Sequence, residues 1–177
     1  SAPFPERTHS DRGGYVSGFD AIFDPEGFEI PVADVAAANL SVRWLLHCAR
    51  QSMQEAGIQK LPTSTGVIVG NLAYPSPELC RYAESVWLGE DQSGAAHHRF
   101  TAGTLAHQTA RALGLQGTAL ALDAACASSL YALHFASRQL QLGTAPMMLV
   151  GGINRADDLF LHMGFSALQA LSPSGQS

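Results

Sequence analysis

The sequence predicts an α/β fold built around a parallel sheet. Three short apolar runs, at residues 65–70, 118–122 and 146–152, have the length and composition of strands buried on both faces. Segments with apolar residues at helical spacing separate them. Strands divided by helices pair in parallel through right-handed crossovers.

Taken in order, the first long element is a helix over residues 39–56. It carries Leu40, Arg43, Trp44, His47, Arg50 and Gln51 at helical spacings and meets a stop at Gly57. The run Thr65, Gly66, Val67, Ile68, Val69, Gly70 follows as a buried strand. Pro75 and Pro77 then impose a loop, and residues 78–88 read as a helix with Leu79, Tyr82, Val86 and Trp87 on its apolar side. A polar connector over 89–99 leads to a helix from about 102 to 113. The strand at 118–122, preceded by Gly114 and Gly117, runs into a further amphipathic helix. Leu130, Leu133 and Leu140, with Ala136 and Ser137 between, mark the spacing of that helix, and Gly143 ends it. Met147, Met148, Leu149 and Val150 form the third strand.

This sheet reads as incomplete at both ends, and the last residues, 171–177, form a polar turn with nothing after it to close the sheet. Residues 1–177 are therefore expected to be one partial domain, without internal repeats or low-complexity tracts. At 46% hydrophobic and 14% charged, 177 residues suffice for one sizeable core. The net charge of −5, with no basic run, argues against a nucleic-acid partner. No stretch approaches the roughly 20 apolar residues of a membrane span, and the first residues lack a signal-peptide pattern. A soluble, cytoplasmic protein is the expectation.

Cysteine usage agrees with a reducing compartment. Cys48, Cys80 and Cys126 are far apart and form no C-x-x-C pair of the kind that holds zinc or runs redox chemistry. Cys48 falls in an apolar helical stretch and is expected to pack there, and Cys80 has no supporting context. Cys126 differs from both. It lies where an apolar strand turns into a helix, so the unpaired N–H groups and the positive end of the helix dipole favour its thiolate. Small neighbours, Ala124, Ala125, Ala127, Ser128 and Ser129, leave room for a substrate. Asp123 is expected to cap the helix with its charge turned away from the sulfur.

A cysteine nucleophile commonly has a histidine within about 3 Å. His134 is eight residues along the helix, roughly 12 Å of axial rise, and cannot reach. His97 and His98 fall in the polar connector, where adjacent side chains diverge, and they read as solvated. His107 and His162 lie in segments able to approach the site, but neither has a triad pattern around it. The residues thus supply a nucleophile and no base.

The run Asp123, Ala124, Ala125, Cys126, Ala127, Ser128, Ser129, Leu130 resembles the active-site run of β-ketoacyl synthases of the thiolase-like fold. Other segments agree in order and spacing. Phe19, Asp20 and Ala21, with Phe23, Asp24 and Phe28 to Pro31, are similar to the stretch before the family's long N-terminal helix, and Glu55, Ala56 and Gly57 to that helix's end. Residues 65–70 resemble the next strand, 112–117 the turn before the nucleophile strand, and 150–152 with 171–175 the strand and loop that follow. Gly13, Gly14 and Tyr15, with residues 154–160, look most like ketosynthases of polyunsaturated-fatty-acid and iterative type I polyketide synthases.

The resemblance implies a layered α-β-α-β-α fold of which this chain is the N-terminal half. It implies an acyltransferase in which Cys126 takes an acyl chain as a thioester, followed by decarboxylative condensation with a malonyl-carrier thioester. The Cys126 backbone N–H is then half of the oxyanion hole, and Phe165 and Phe100 match positions near the acyl pocket and dimer interface, with Thr101 beside Phe100. No metal or other cofactor is implied, since the acyl and malonyl groups arrive on the phosphopantetheine of an acyl carrier protein or on CoA. The implied partner is a second copy or a chain-length-factor-like protein. The family's two histidines and lysine are expected beyond Ser177, since Lys60 is the single lysine and lies away from the matching place. The family's first strand is expected ahead of Ser1. Ala38 to Ser41 stand where most type I ketosynthases have an Asp-Pro pair, and Ala127 replaces the commoner Ser or Thr. The competing readings are an inactive dimerisation fragment of such a synthase, a degradative thiolase, and a Cys-dependent hydrolase that would need a base the chain does not supply.

Overall fold

The computed structural model describes residues 13–72, 77–90, 102–155, 158–172 and 174. The chain divides into two compact units, one of Phe23–Arg155 and one that joins Ser1–Ile22 to Ala156–Ser177.

The larger unit is built on a three-stranded parallel sheet in the order β2-β1-β3, with β1 at Gly66–Asn71, β2 at Ala119–Leu122 and β3 at Met148–Ile153. Val67 stands opposite Ala119 and Leu149, and Gly70 opposite Leu122 and Gly152. Helices cover both faces. On one side lie α1 (Val32–Ala37), α2 (Leu40–Glu55), and α4 (Ala102–Ala112); between α2 and α4 in sequence comes α3 (Pro77–Trp87). On the other lies α5 (Ser128–Gln141), packed on β1 and β3. Alternation along β1 divides the core accordingly. Val67 and Val69 join Val35, Val42, Leu46, Leu105 and Ala106 on the first side, and Ile68 meets Ala132 and Ala136 of α5 on the second.

The parallel sheet and the expected order of elements are present. Three readings change. Only β1, the central strand, is buried along its length; β2 and β3 flank it among the described residues, and Leu120 is exposed. Leu130, Leu133 and Leu140 do not face the sheet: they are 68%, 56% and 46% exposed, while Ser128, Ala132 and Ala136 are buried against it. Small side chains at i, i+4 and i+8 let the helix approach the strands closely, and steric closeness outweighs side-chain size in choosing the packed face. Cys48 is exposed rather than packed, because the buried stripe of α2 runs through Val42, Leu46 and Ala49. Cys80 falls in α3, its side chain outside the described residues.

Helix ends obey local chemistry. The Asn39 side chain accepts the Ser41 N–H at 2.9 Å and starts α2. At its far end Gly57 takes φ +67°, so that its N–H bonds to Gln54 O and the Ile58 N–H to Met53 O, a Schellman closure. In the smaller unit, α6 (Asp158–Ala167) ends with the same pair of bonds, Gln169 N–H to Ser166 O and Ala170 N–H to Phe165 O. Here the left-handed position, φ +55°, is held by Gln169 rather than a glycine. A Cβ in that conformation costs on the order of 1 kcal/mol. Gln169→Gly is therefore expected to raise Tm by about 2–4 °C, the shift that 1 kcal/mol gives in a domain of this size. A lower melting temperature would show that the side chain contributes more than its backbone strain costs.

Among the described residues no helix is long and apolar enough to cross a membrane.

Candidate active site

The turn between β2 and α5 is a web of short-range hydrogen bonds. After Leu122 the chain passes Asp123 and Ala124, makes one 3-10 turn over Ala125–Ala127 and enters α5 at Ser128. Ala125 adopts φ +50°, left-handed backbone that a residue with a Cβ occupies at a cost of roughly 1–2 kcal/mol. Neighbours hold it there. Asp123 Oδ1 accepts the Ala125 N–H at 2.9 Å, and Ser128 Oγ donates to the Ala125 carbonyl at 2.7 Å while accepting the Ala124 N–H at 2.9 Å. Asp123 thus caps neither helix: it tethers the first residue of the 3-10 turn, whose N-cap position belongs to Ala124, while that of α5 belongs to Ala127.

Cys126, the middle residue of that turn, is exposed. It stands just ahead of the α5 N-terminus. Its surroundings form a cleft of about 380 Å³ at the C-terminal ends of β1 and β3, where Gly70, Asn71, Ser129, Gly152 and Asn154 join it. In parallel α/β sheets this edge is where strands hand over to helices and where ligands bind.

Two glycines allow α5 to start so close to the sheet. A Cβ on Gly70 would lie 2.6 Å from the Ser128 carbonyl carbon and oxygen and 2.8 Å from the Ser129 nitrogen, and one on Gly152 would lie 2.9 Å from the Ser129 Cβ. The contact at Gly70 is with backbone, which cannot rotate aside. These glycines, with Asn71 and Asn154, are site residues that periodicity alone does not single out. The sequence signal of the two glycines is a glycine near the end of an apolar strand.

Within the larger unit, the described histidines do not line this cleft. His107 is exposed on α4, and His134 is exposed on α5 with its ring edge-on to Phe135 at 5.7 Å. His162 and Phe165 lie on α6 in the smaller unit, both half-buried. His97, His98, Phe100 and Thr101 lie outside the described residues. Among the described residues no imidazole lines the cleft.

Residues 1–177 match the family described as "Beta-ketoacyl synthase, N-terminal domain". The chain belongs to this family. A PKS-NRPS hybrid synthetase of Aspergillus candidus, acdB, is 30% identical over 178 residues, covering 97% of this chain and 7% of that protein. A phenolphthiocerol/phthiocerol polyketide synthase polypeptide of Mycobacterium tuberculosis (strain CDC 1551 / Oshkosh) is 34% identical over 169 residues, covering 93% and 9%. Among solved structures, the PfaC keto synthase-chain length factor superposes with a TM-score of 0.77 at 30% identity, covering 97% of this chain and 21% of that one. The ketosynthase from module 1 of the bacillaene synthase of Bacillus amyloliquefaciens FZB42 superposes at a TM-score of 0.58 and 28% identity, covering 77% and 25%. The chain thus spans less than a tenth of the length of these two curated relatives. The mixed helices and parallel sheet are those of the thiolase-like ketosynthase fold. Within this ketosynthase domain, Cys126 occupies the turn that begins the helix against the sheet's glycines.

Proposed function

We propose that the protein carrying this ketosynthase domain is a β-ketoacyl synthase whose nucleophile is Cys126. The observation that carries the reading is an exposed thiol at the mouth of a cleft, presented by a strained, doubly tethered turn at a helix N-terminus. A nucleophile must be reachable and fixed in direction, and this arrangement supplies both.

In the first half-reaction the Cys126 sulfur attacks the carbonyl carbon of an acyl thioester borne by an acyl carrier protein or CoA. The oxyanion that forms faces the Cys126 backbone N–H. It collapses with cleavage of the carrier's C–S bond, the departing thiolate takes up the proton released by Cys126, and the acyl chain remains on the enzyme. In the second, a malonyl thioester loses carbon dioxide and its carbanion attacks the Cys126 thioester. A carbon–carbon bond forms, the bond to Cys126 breaks, and a 3-ketoacyl thioester two carbons longer leaves on the carrier. No metal or organic cofactor enters either step.

Gly13, Gly14, Tyr15 and the residues after Asn154 support a place among polyunsaturated-fatty-acid and related iterative synthases. The similarity to a keto synthase-chain length factor is in keeping with that place. We assign Phe165 to the wall of the acyl pocket and Phe100 to the dimer side of the site. The working unit is then a homodimer or a ketosynthase/chain-length-factor-like heterodimer, in the cytoplasm.

Intact-mass labelling tests the reading. With an acyl-CoA, and with a cysteine-directed epoxide, the protein should gain at neutral pH one adduct that Cys126→Ala lacks, whatever the exposed Cys48 takes up in both. Equal labelling of wild type and variant, or no labelling of either, would reduce the chain to a scaffold and overturn Cys126 as the nucleophile.

A further inference from the structure

The hydroxyl of Ser128 does more than tie off a turn. Its hydrogen goes to the carbonyl oxygen of Ala125, at 2.7 Å. That carbonyl and the Cys126 N–H belong to one peptide unit, which is planar and, like every described peptide bond, not cis. Whatever holds the Ala125 oxygen therefore holds the Cys126 N–H, which points the opposite way across the same plane. A peptide that accepts a bond at oxygen is also polarised, and its N–H becomes a stronger donor.

We infer that Ser128 is a positioning residue for acylation, in that its hydroxyl aims and polarises the Cys126 N–H through the shared peptide. The inference rests on the reading of Cys126 as an acyl-accepting nucleophile. Three features of the structure support it. Ser128 is 7% exposed, so its hydroxyl is kept from water and from alternative partners. It also accepts the Ala124 N–H at 2.9 Å, so both the donor and an acceptor site of the hydroxyl are committed and its orientation is set. The peptide it grips follows Ala125 at φ +50°, a conformation that relaxes unless its neighbours over-determine it. Asp123 holds the other side of Ala125 through its N–H. The Ala125 oxygen also accepts the Ser128 backbone N–H, a bond that Ser128→Ala leaves in place, so the substitution removes the hydroxyl's share alone.

The test compares two reactions of the same thiol in the full-length protein. Acylation by an acyl-CoA passes through an oxyanion, whereas alkylation by iodoacetamide is a displacement at a saturated carbon and needs no oxyanion donor. Ser128→Ala is expected to slow acylation by roughly 10- to 100-fold, below the full loss of an oxyanion donor. The apparent KM for acyl-CoA should stay within about twofold, and iodoacetamide alkylation within about threefold, as expected of a loss confined to the transition state. Ser128→Thr, which keeps the hydroxyl, should restore most of the acylation rate. Should Ser128→Ala fold poorly, the isosteric pair Ser128→Thr and Ser128→Val isolates the hydroxyl, with the same difference expected between them.

Acylation of Ser128→Ala within twofold of wild type, or equal loss of both reactions, overturns the positioning role. Absence of Cys126 acylation in the wild type overturns instead the nucleophile reading, and the inference with it.

Discussion

Gly70→Ala is expected to silence the thiol at modest cost to the fold. The added methyl would stand 2.6 Å from the Ser128 carbonyl carbon and oxygen, with Ser129 nitrogen at 2.8 Å. Because these are backbone atoms, either β1 or the first turn of α5 must shift by several tenths of an ångström or more. Overpacking of this kind costs about 1–3 kcal/mol of stability. The chemical cost is larger where the first turn of α5 gives way, since the Cys126 turn runs directly into it, and a displacement near 1 Å at a reacting group costs on the order of 100-fold in rate. Acylation by an acyl-CoA should fall by at least about that factor, while circular dichroism shows a folded protein with a lower melting temperature. A rate within twofold of wild type would mean that the strand and helix can separate without moving the sulfur.

Leu46→Ala should do the reverse. Leu46 is fully buried in the core that joins α2 and α4 to β1, on the sheet face opposite α5. Removing its isobutyl group leaves a cavity among Val42, Val67, Val69 and Leu105, with an expected loss of about 2–5 kcal/mol. For a domain of this size a 3 kcal/mol loss corresponds to a fall in Tm of about 6–12 °C. At temperatures where the variant remains folded, Cys126 acylation should stay within about twofold of wild type, since the turn is held by Asp123, Ser128 and the Gly70 contact rather than by this cluster. A large loss of acylation in fully folded Leu46→Ala would show that the two faces of the sheet are coupled through β1. The two substitutions together separate stability from chemistry.

Much of this site is visible in the amino-acid order because its determinants are local. Asn39 and Gly57 bracket α2, and Gly114 and Gly143 end α4 and α5 with positive φ, each through contacts no more than five residues apart. The Cys126 turn is similarly self-contained, since Asp123 and Ser128 reach the backbone within two to four positions. The short helix α1 and the helix α6 escape a reading by periodicity, α1 because six residues hold too few turns to repeat a pattern. Burial is the other miss. Leu130 and Leu133 have the spacing of a packed face, yet the sheet selects Ala132 and Ala136, because Gly70 and Gly152 bring the strands too close for leucine.

By itself, then, the sequence determined the order of the strands and of the longer helices between them, from which parallel pairing follows, and the thiol at a strand-to-helix junction; the elements themselves depend on composition and on neighbours within about one helical turn. Only the tertiary structure decided which face of α5 is buried, which strand is central, and that Gly70 and Gly152 leave the space into which the nucleophile turn fits. These depend on distances between residues dozens of positions apart, and close packing makes such distances matter to tenths of an ångström.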